Sequence, residues 1–237
     1  MHDFGKPAPL PIRSVFLDRD GTVIEDRSYL GDPSGVKLLP GAGEGLKLLA
    51  GRGLDLFIVT NQSGIGRGYF TLDDYLACRA ELNRILTIAG TPLTDEAFCP
   101  HDPDAACACR KPALGMWHKL SARHGLIPRE CMIIGDKSGD LEFGYAAGFA
   151  LSALVLTGEG AKTAARLGVC GLNPDTLRHL LPDTVVYFSV GIGMFVERPY
   201  RLFSFKISVT RIPAYNRSYI KTFCARRWTC STIGTDW

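Results

Sequence analysis

The sequence predicts an α/β fold, a parallel sheet flanked by helices with its functional site beyond the carboxyl ends of the strands. Three observations carry that expectation. Short apolar runs alternate with segments of helical spacing, the order strand, helix, strand recurs along the chain, and polar residues follow the apolar runs. In such sheets the crossovers are right-handed and ligands sit past the strand ends.

The elements follow in order. Ser14–Leu17 (Ser-Val-Phe-Leu) has the composition of a buried parallel strand and is followed by Asp18 and Asp20. Gly43–Arg52 carries helical spacing, and Leu54–Thr60 (Leu-Asp-Leu-Phe-Ile-Val-Thr) is a second strand ending at Thr60 and Asn61. Leu72–Ala89 is a helix with Thr71 or Asp73 as its cap. Part of the stretch from Asn61 to Arg110 is taken up by this helix and a strand. Gly115–His124 is helical, Cys131–Ile134 is a strand running into Gly-Asp136, Leu141–Ala147 is helical, and Ala150–Leu156 is a further strand.

Composition narrows the function class. The 237 residues suffice for one domain with an appendage, and 46% hydrophobic with 22% charged residues excludes a mostly disordered chain. A net charge of +3 is too small to imply a nucleic-acid protein. The sum hides an asymmetry: residues 183–237 hold 8 basic against 3 acidic residues and 11 of the 23 aromatics, while residues 1–182 are net −2. The chain therefore divides into an α/β domain, 1–182, and a C-terminal extension, 183–237, whose runs Val185–Val196 and Leu202–Val209 are β-like without a recognisable partner. An appended sequence without selected function is the preferred reading of that extension, so truncation after Leu181 should leave activity intact. The start Met-His-Asp-Phe-Gly-Lys-Pro has no apolar core of a secretory signal, and no run has a membrane span's length. Cys78, Cys131, Cys170, Cys224 and Cys230 are scattered and read as core or incidental thiols. A cytoplasmic enzyme, monomeric, with no membrane or nucleic-acid partner, is the expectation.

The chemistry lies at the strand ends. Asp18-Arg19-Asp20-Gly21-Thr22 places two carboxylates two residues apart, where extended geometry points both the same way. Such a pair can hold Mg²⁺ while one carboxylate attacks phosphorus and the other moves a proton. A solvated Asp-x-Asp turn is the bland alternative for the tripeptide alone. Thr60-Asn61-Gln62-Ser63, Arg110-Lys111-Pro112 and Gly135-Asp136-Lys137-Ser138-Gly139-Asp140 then add a hydroxyl, cations and further carboxylates, the parts needed to bind a phosphoryl group beside Mg²⁺.

With these four motifs in order over about residues 12–180, the chain resembles the phosphatases of the haloacid dehalogenase (HAD) superfamily. The resemblance implies a HAD-like Rossmannoid sheet, Asp18 as the nucleophile that forms an aspartyl-phosphate, and Asp20 as the acid and then the base. It further implies Thr60 and Lys111 as holders of the phosphoryl, Lys111 screening Asp18 from Asp136, and Mg²⁺ on the Asp18 carboxylate, the Asp20 carbonyl and Asp136. Asp140 either orients the metal's water or caps the helix near Leu141. The gaps from Gly21 to Leu54 and from Asn61 to Arg110 are too short for a large cap domain, so a capless site is expected.

Cys99-Pro100-His101 and Cys107-Ala108-Cys109 bring three thiols and an imidazole within eleven residues. This matches a closed Cys₃His site for structural Zn²⁺, placed to aim Arg110 and Lys111; reduced thiols or a local disulfide are the alternative. Cys-Pro-His…Cys-x-Cys-Arg-Lys-Pro with Thr-Asn-Gln-Ser-Gly-Ile-Gly-Arg-Gly resembles the D-glycero-D-manno-heptose 1,7-bisphosphate 7-phosphatases, with the histidinol-phosphate phosphatases as the related alternative. Ser63 and Arg67 match the heptose type, and Arg110 suits a second phosphate; Arg110 is also expected among the catalytic cations. By the same resemblance Asp26, Arg27, Ser28, Tyr29, Thr60, Asn61, Gln62, Ser63, Arg67, Arg110, Lys111 and Lys137 bind a small phosphorylated sugar. Those enzymes feed nucleotide-heptose synthesis for bacterial surface polysaccharide. Two non-enzyme readings compete: a zinc-containing binding protein on a dead phosphatase fold, which the complete motif set opposes, and a zinc-finger nucleic-acid module, which the ligand spacing and the acidic 1–182 region oppose.

Overall fold

The computed structural model describes residues 12–167 and, as backbone, 185–189. The elements run β1 (Ser14–Leu17), α1 (Ala42–Ala50), β2 (Asp55–Asn61), α2 (Ser63–Gly66), α3 (Leu72–Ile88), β3 (Asp95–Cys99), α4 (Gly115–His124), β4 (Cys131–Gly135), α5 (Ser138–Ala147), β5 (Leu151–Val155), α6 (Gly160–Arg166) and β6 (Val185–Ser189). The six strands form one sheet in the order β3-β2-β1-β4-β5-β6, all parallel. Strand order therefore reverses between β1 and β4, where an open α/β sheet leaves its ligand crevice.

Side chains alternate across the sheet because successive residues of a strand face opposite ways. Val15 and Leu17 of β1 join Leu56, Ile58, Met132 and Ile134 against α1 and α3, which contribute Leu46, Leu49, Leu82 and Leu86. On the other face Phe16 meets Phe57 at 5.1 Å, Trp117 of α4 at 5.6 Å and Phe149 at 4.9 Å between ring centres. Each such fully buried side chain contributes roughly 1.5–3 kcal/mol of transfer free energy. This aromatic layer clamps β1 between two neighbours and fixes where Asp18 emerges.

Caps set the helix starts. Thr71 Oγ1 accepts from the Asp74 amide at 3.1 Å while Asp74 accepts from the Thr71 amide at 2.7 Å, a reciprocal cap on α3. α5 begins at Ser138, three residues before the expected start, because the Asp140 carboxylate accepts the Lys137 N–H at 3.0 Å and closes the first turn. Only a loop and one 3₁₀ turn (Pro33–Gly35) separate β1 from α1, so among the described residues no cap domain covers the crevice. No helix among the described residues is long and apolar enough to cross a membrane.

β6 lies on the far side of the expected boundary at 182. Its backbone pairs with β5 in register from Leu151–Val185 to Val155–Ser189. Apart from this strand the extension, with Cys224 and Cys230, lies outside the described residues, and so do Cys170, Leu180 and Leu181. A 1–181 fragment would leave the β5 edge unpaired, a template for aggregation. Fragments 1–181 and 1–190 should therefore differ, the shorter one losing soluble yield. Equal solubility and activity of the two, measured by gel filtration and phosphate release, would show that β6 is dispensable.

Candidate active site

The crevice at the β1/β4 reversal is a cleft of about 420 Å³ lined by Asp18, Asp20, Asp26, Ser28, Tyr29, Leu30, Thr60, Asn61, Gln62, Ser63, Arg110, Lys111, Lys137, Gly139 and Asp140. Asp18 continues β1, its amide donating to the Ile134 carbonyl of β4 at 2.9 Å. The chain then doubles back through Gly21, which has φ 85° and lies so near Asp136 that a Cβ there would run into its carboxylate.

Lys111 is the buried centre of the site, 6% exposed. Its Nζ lies 2.7 Å from Asp18 Oδ1 and 2.6 Å from Asp140 Oδ1, and it also donates to the Val59 carbonyl. Burial works against its charge, but Asp140 and Asp18 hold its pKa above the ordinary lysine value. Asp18 is the mirror case: burial opposes ionisation, and the Lys111 and Lys137 ammoniums outweigh it, keeping the carboxylate below its usual range. Asn61 fixes the backbone beneath. Its Oδ1 accepts the Lys111 N–H at 3.0 Å and its Nδ2 donates to the Lys111 carbonyl at 3.2 Å, stitching the Arg110–Lys111 turn to the end of β2.

The expected screening of Asp18 from Asp136 by Lys111 is corrected in detail. Lys111 pairs Asp18 with Asp140, and the cation between Asp18 and Asp136 is Lys137. Its Nζ stands 3.8 Å from Asp18 Oδ2, 3.4 Å from Asp136 Oδ1 and 3.3 Å from the Asp20 carbonyl oxygen. The three oxygen sources expected to hold Mg²⁺ thus converge on one point, marked here by a positive charge. Asp136 is fully buried, and its Oδ1 has no hydrogen-bond partner, while Oδ2 accepts from the Glu159 amide at 2.8 Å. Burial, then Asp18, pushes Asp136 up to about 7 against the pull of Lys137. A buried carboxylate oxygen that makes no hydrogen bond and faces a cation, close to other oxygens, fits a hard divalent cation. Asp18, Asp136 and Asp140 also place ligand oxygens within 4.8 Å of one another.

The Asp20 carboxylate is held apart from these oxygens. Oδ2 accepts from Arg19 Nε at 3.0 Å and Gln62 Nε2 at 2.8 Å, and Oδ1 from Arg19 Nη2 at 3.0 Å. Gln62 Nε2 also donates to Thr60 Oγ1 at 2.8 Å, so the hydroxyl hydrogen of Thr60 is free for another acceptor.

Two expected substrate residues do not line the cleft. Arg27 is exposed and pairs with Glu25 at 2.9 Å. Arg67 donates from Nε to Asp102 Oδ2 at 2.9 Å and from Nη1 to Tyr29 Oη at 3.1 Å. It is a brace between the Ser28–Tyr29 loop and the cysteine–histidine loop. Tyr29 itself lines the cleft, in left-handed backbone (φ 70°) and packed on Tyr69 at 4.5 Å. Arg110 does line the cleft, and its buried Nη1 has no hydrogen-bond partner.

Beside Arg110, Cys99, His101, Cys107 and Cys109 converge. Sγ of Cys99 lies 3.5 Å from that of Cys107, Cys107 lies 3.6 Å from Cys109, and His101 Nδ1 lies 3.2 Å from Cys109. A tetrahedral zinc with ordinary bond lengths would set its ligand atoms roughly 3.5–3.8 Å apart. Burial pushes Cys99 up to about 12; at Cys107 the amides of Cys109 and Arg110 and the neighbouring thiols overcome burial and hold it at about 6. One anionic sulfur and an imidazole on a short loop suit a soft cation. Gly66 of α2 lies so close to this loop that a Cβ would strike the Asp102 amide, and its own N–H donates to the Pro100 carbonyl at 2.8 Å.

Comparison with known proteins agrees with this architecture. A family model described as HAD-hydrolase-like matches residues 108–182. The D-glycero-beta-D-manno-heptose-1,7-bisphosphate 7-phosphatase of Neisseria meningitidis serogroup A is 34% identical over 158 residues, 66% of this chain and 84% of that protein. The Pseudomonas putida protein of the same name is 34% identical over 153 residues, 64% of this chain and 87% of that one. The D,D-heptose 1,7-bisphosphate phosphatase of B. bronchiseptica, solved with magnesium and phosphate, superposes with a TM-score of 0.67 at 31% identity, over 79% of this chain and 98% of that one. By sequence and by fold, the chain belongs to the D-glycero-D-manno-heptose-1,7-bisphosphate 7-phosphatase family of HAD-type hydrolases.

Proposed function

We propose that this chain removes the 7-phosphate of D-glycero-D-manno-heptose 1,7-bisphosphate through an aspartyl-phosphate on Asp18. A carboxylate oxygen of Asp18 attacks phosphorus, and the sugar oxygen leaves with a proton from Asp20. The Asp20 carboxylate then takes a proton from water, whose oxygen attacks phosphorus and releases Asp18. Lys111 and the Thr60 hydroxyl hold the phosphoryl oxygens meanwhile. Mg²⁺, held by Asp18, the Asp20 carbonyl and Asp136, would neutralise the charge that three carboxylates and a phosphate bring together.

The observation that carries the bisphosphate reading is Arg110, a guanidinium in the cleft wall beside Lys111, placed to meet a second phosphate. A charge-assisted bond of this kind is worth about 1.5–3 kcal/mol, so Arg110→Ala should lower kcat/KM for the bisphosphate about ten- to a hundredfold. Histidinol phosphate has no second phosphate and should be nearly indifferent to the change. Phosphate release from both substrates on both proteins decides it. Equal losses, or a wild-type preference for histidinol phosphate, would move the substrate assignment to the related family.

Zn²⁺ on Cys99, His101, Cys107 and Cys109 would close a four-ligand site and hold a loop that has no core of its own. Protein purified without added metal should contain one zinc per chain by elemental analysis. Cys109→Ser should lose that zinc and raise KM about tenfold, with a smaller effect on kcat. Metal-free wild type, or a Cys107–Cys109 disulfide, would refute the zinc site.

A further inference from the structure

We infer that Arg19 is a positioning residue for the general acid–base Asp20, an inference that rests on the phosphatase reading above. Arg19 stands between the two motif aspartates, yet its side chain turns away from solvent and is 3% exposed. A buried guanidinium is costly unless its donors are used and its face is covered. Both conditions are met here by Asp20 and by Tyr75. Nε and Nη2 grip the two oxygens of Asp20 as a fork, each at 3.0 Å. The guanidinium carbon lies 5.2 Å from the centre of the Tyr75 ring.

Tyr75 is itself anchored. It is fully buried in α3, and its hydroxyl donates to Glu96 of β3 at 2.9 Å. Glu96 is in turn paired with Arg79 at 2.8 Å. The chain Asp20–Arg19–Tyr75–Glu96–Arg79 therefore fastens the acid–base residue to two framework elements outside the metal and phosphoryl pocket. Three donor hydrogen bonds on one carboxylate, with Gln62 as the third, leave it little rotational freedom. In a capless site no second domain can press Asp20 into place, so the fold beneath has to do it. A fork is suited to this where an ammonium is not, because two parallel bonds fix orientation as well as distance.

The leaving group separates this role from a structural one. A sugar alkoxide needs the proton that Asp20 supplies, whereas p-nitrophenolate leaves without one. Rates on the heptose bisphosphate and on p-nitrophenyl phosphate should be compared for wild type, Arg19→Met, Arg19→Lys, Asp20→Asn and the Arg19→Met/Asp20→Asn double variant. Arg19→Met should lose about ten- to a hundredfold more kcat/KM on the sugar than on the aryl ester, within the range of general acid–base catalysis, because kcat/KM reads the steps up to the aspartyl-phosphate and not the hydrolysis that both substrates share. Arg19→Lys should recover part of the loss, and Arg19→Met should add nothing on top of Asp20→Asn. Because both substrates report on the same folded molecules, the ratio is unaffected by a misfolded fraction. Equal losses on the two substrates, or losses that multiply in the double variant, would overturn the role of Arg19. If Asp20→Asn itself failed to discriminate between the leaving groups, the acid–base reading would fall, and Arg19 with it.

Discussion

Asp18→Asn should reduce turnover by at least about a thousandfold, since it removes the nucleophile on which both half-reactions depend. The fold should survive. Asn keeps an oxygen for the Lys111 bond, and the change takes one negative charge from a cluster in which Asp18, Asp136 and Asp140 face only Lys111 and Lys137. The melting temperature should therefore hold or rise while phosphate release disappears. Trapping of a phosphorylated chain in wild type but not in the variant checks the same step. Retention of more than a small fraction of kcat would exclude the covalent route.

Lys111→Met should combine a catalytic with a structural loss. The substitution preserves the aliphatic stem but leaves Asp18 and Asp140, 4% and 1% exposed, without their shared counter-charge. Removing one partner of a buried ion pair costs about 3–5 kcal/mol, chiefly through the charge left behind. Adding Asp140→Asn removes one of the stranded charges and should restore a good part of the stability, as read from urea unfolding. It should restore no turnover, because the ammonium proposed to hold the phosphoryl oxygens is still missing. A Lys111→Met protein as stable as wild type would mean that the two carboxylates are accommodated another way.

The sequence was most legible where local chemistry and tertiary position agree. Ser14–Leu17 and Gly115–His124 have the expected limits, and Thr71 caps α3 as its spacing implied. The motif residues at strand ends meet because parallel strands deliver their carboxyl ends to one edge. β3 had no such signal: Asp-Glu-Ala-Phe-Cys opens on two acids, and Glu96 points inward only because Tyr75 and Arg79, distant in sequence, satisfy it. The sequence places the start of α5 at Leu141 because Ser138-Gly139-Asp140 has the composition of a polar strand end, although Asp140 serves as both cap and ion partner. Arg67 is a related case. Nothing local announces that Asp102, across two loops, takes up its charge. Arg19 stands between two more conspicuous carboxylates, and Ser-Val-Phe-Leu gives no hint of the ring that covers it.

The stitch between Asn61 and Lys111 has a consequence for how this scaffold can change. It ties the backbone of Lys111 to β2, although the residue comes just after the cysteine–histidine loop in sequence. The 102–106 segment can then lengthen, shorten or change composition while the lysine stays registered to the strand. Change in the loop and placement of the Arg110–Lys111 turn are thereby uncoupled, since the turn is anchored on the strand and not on the loop that precedes it.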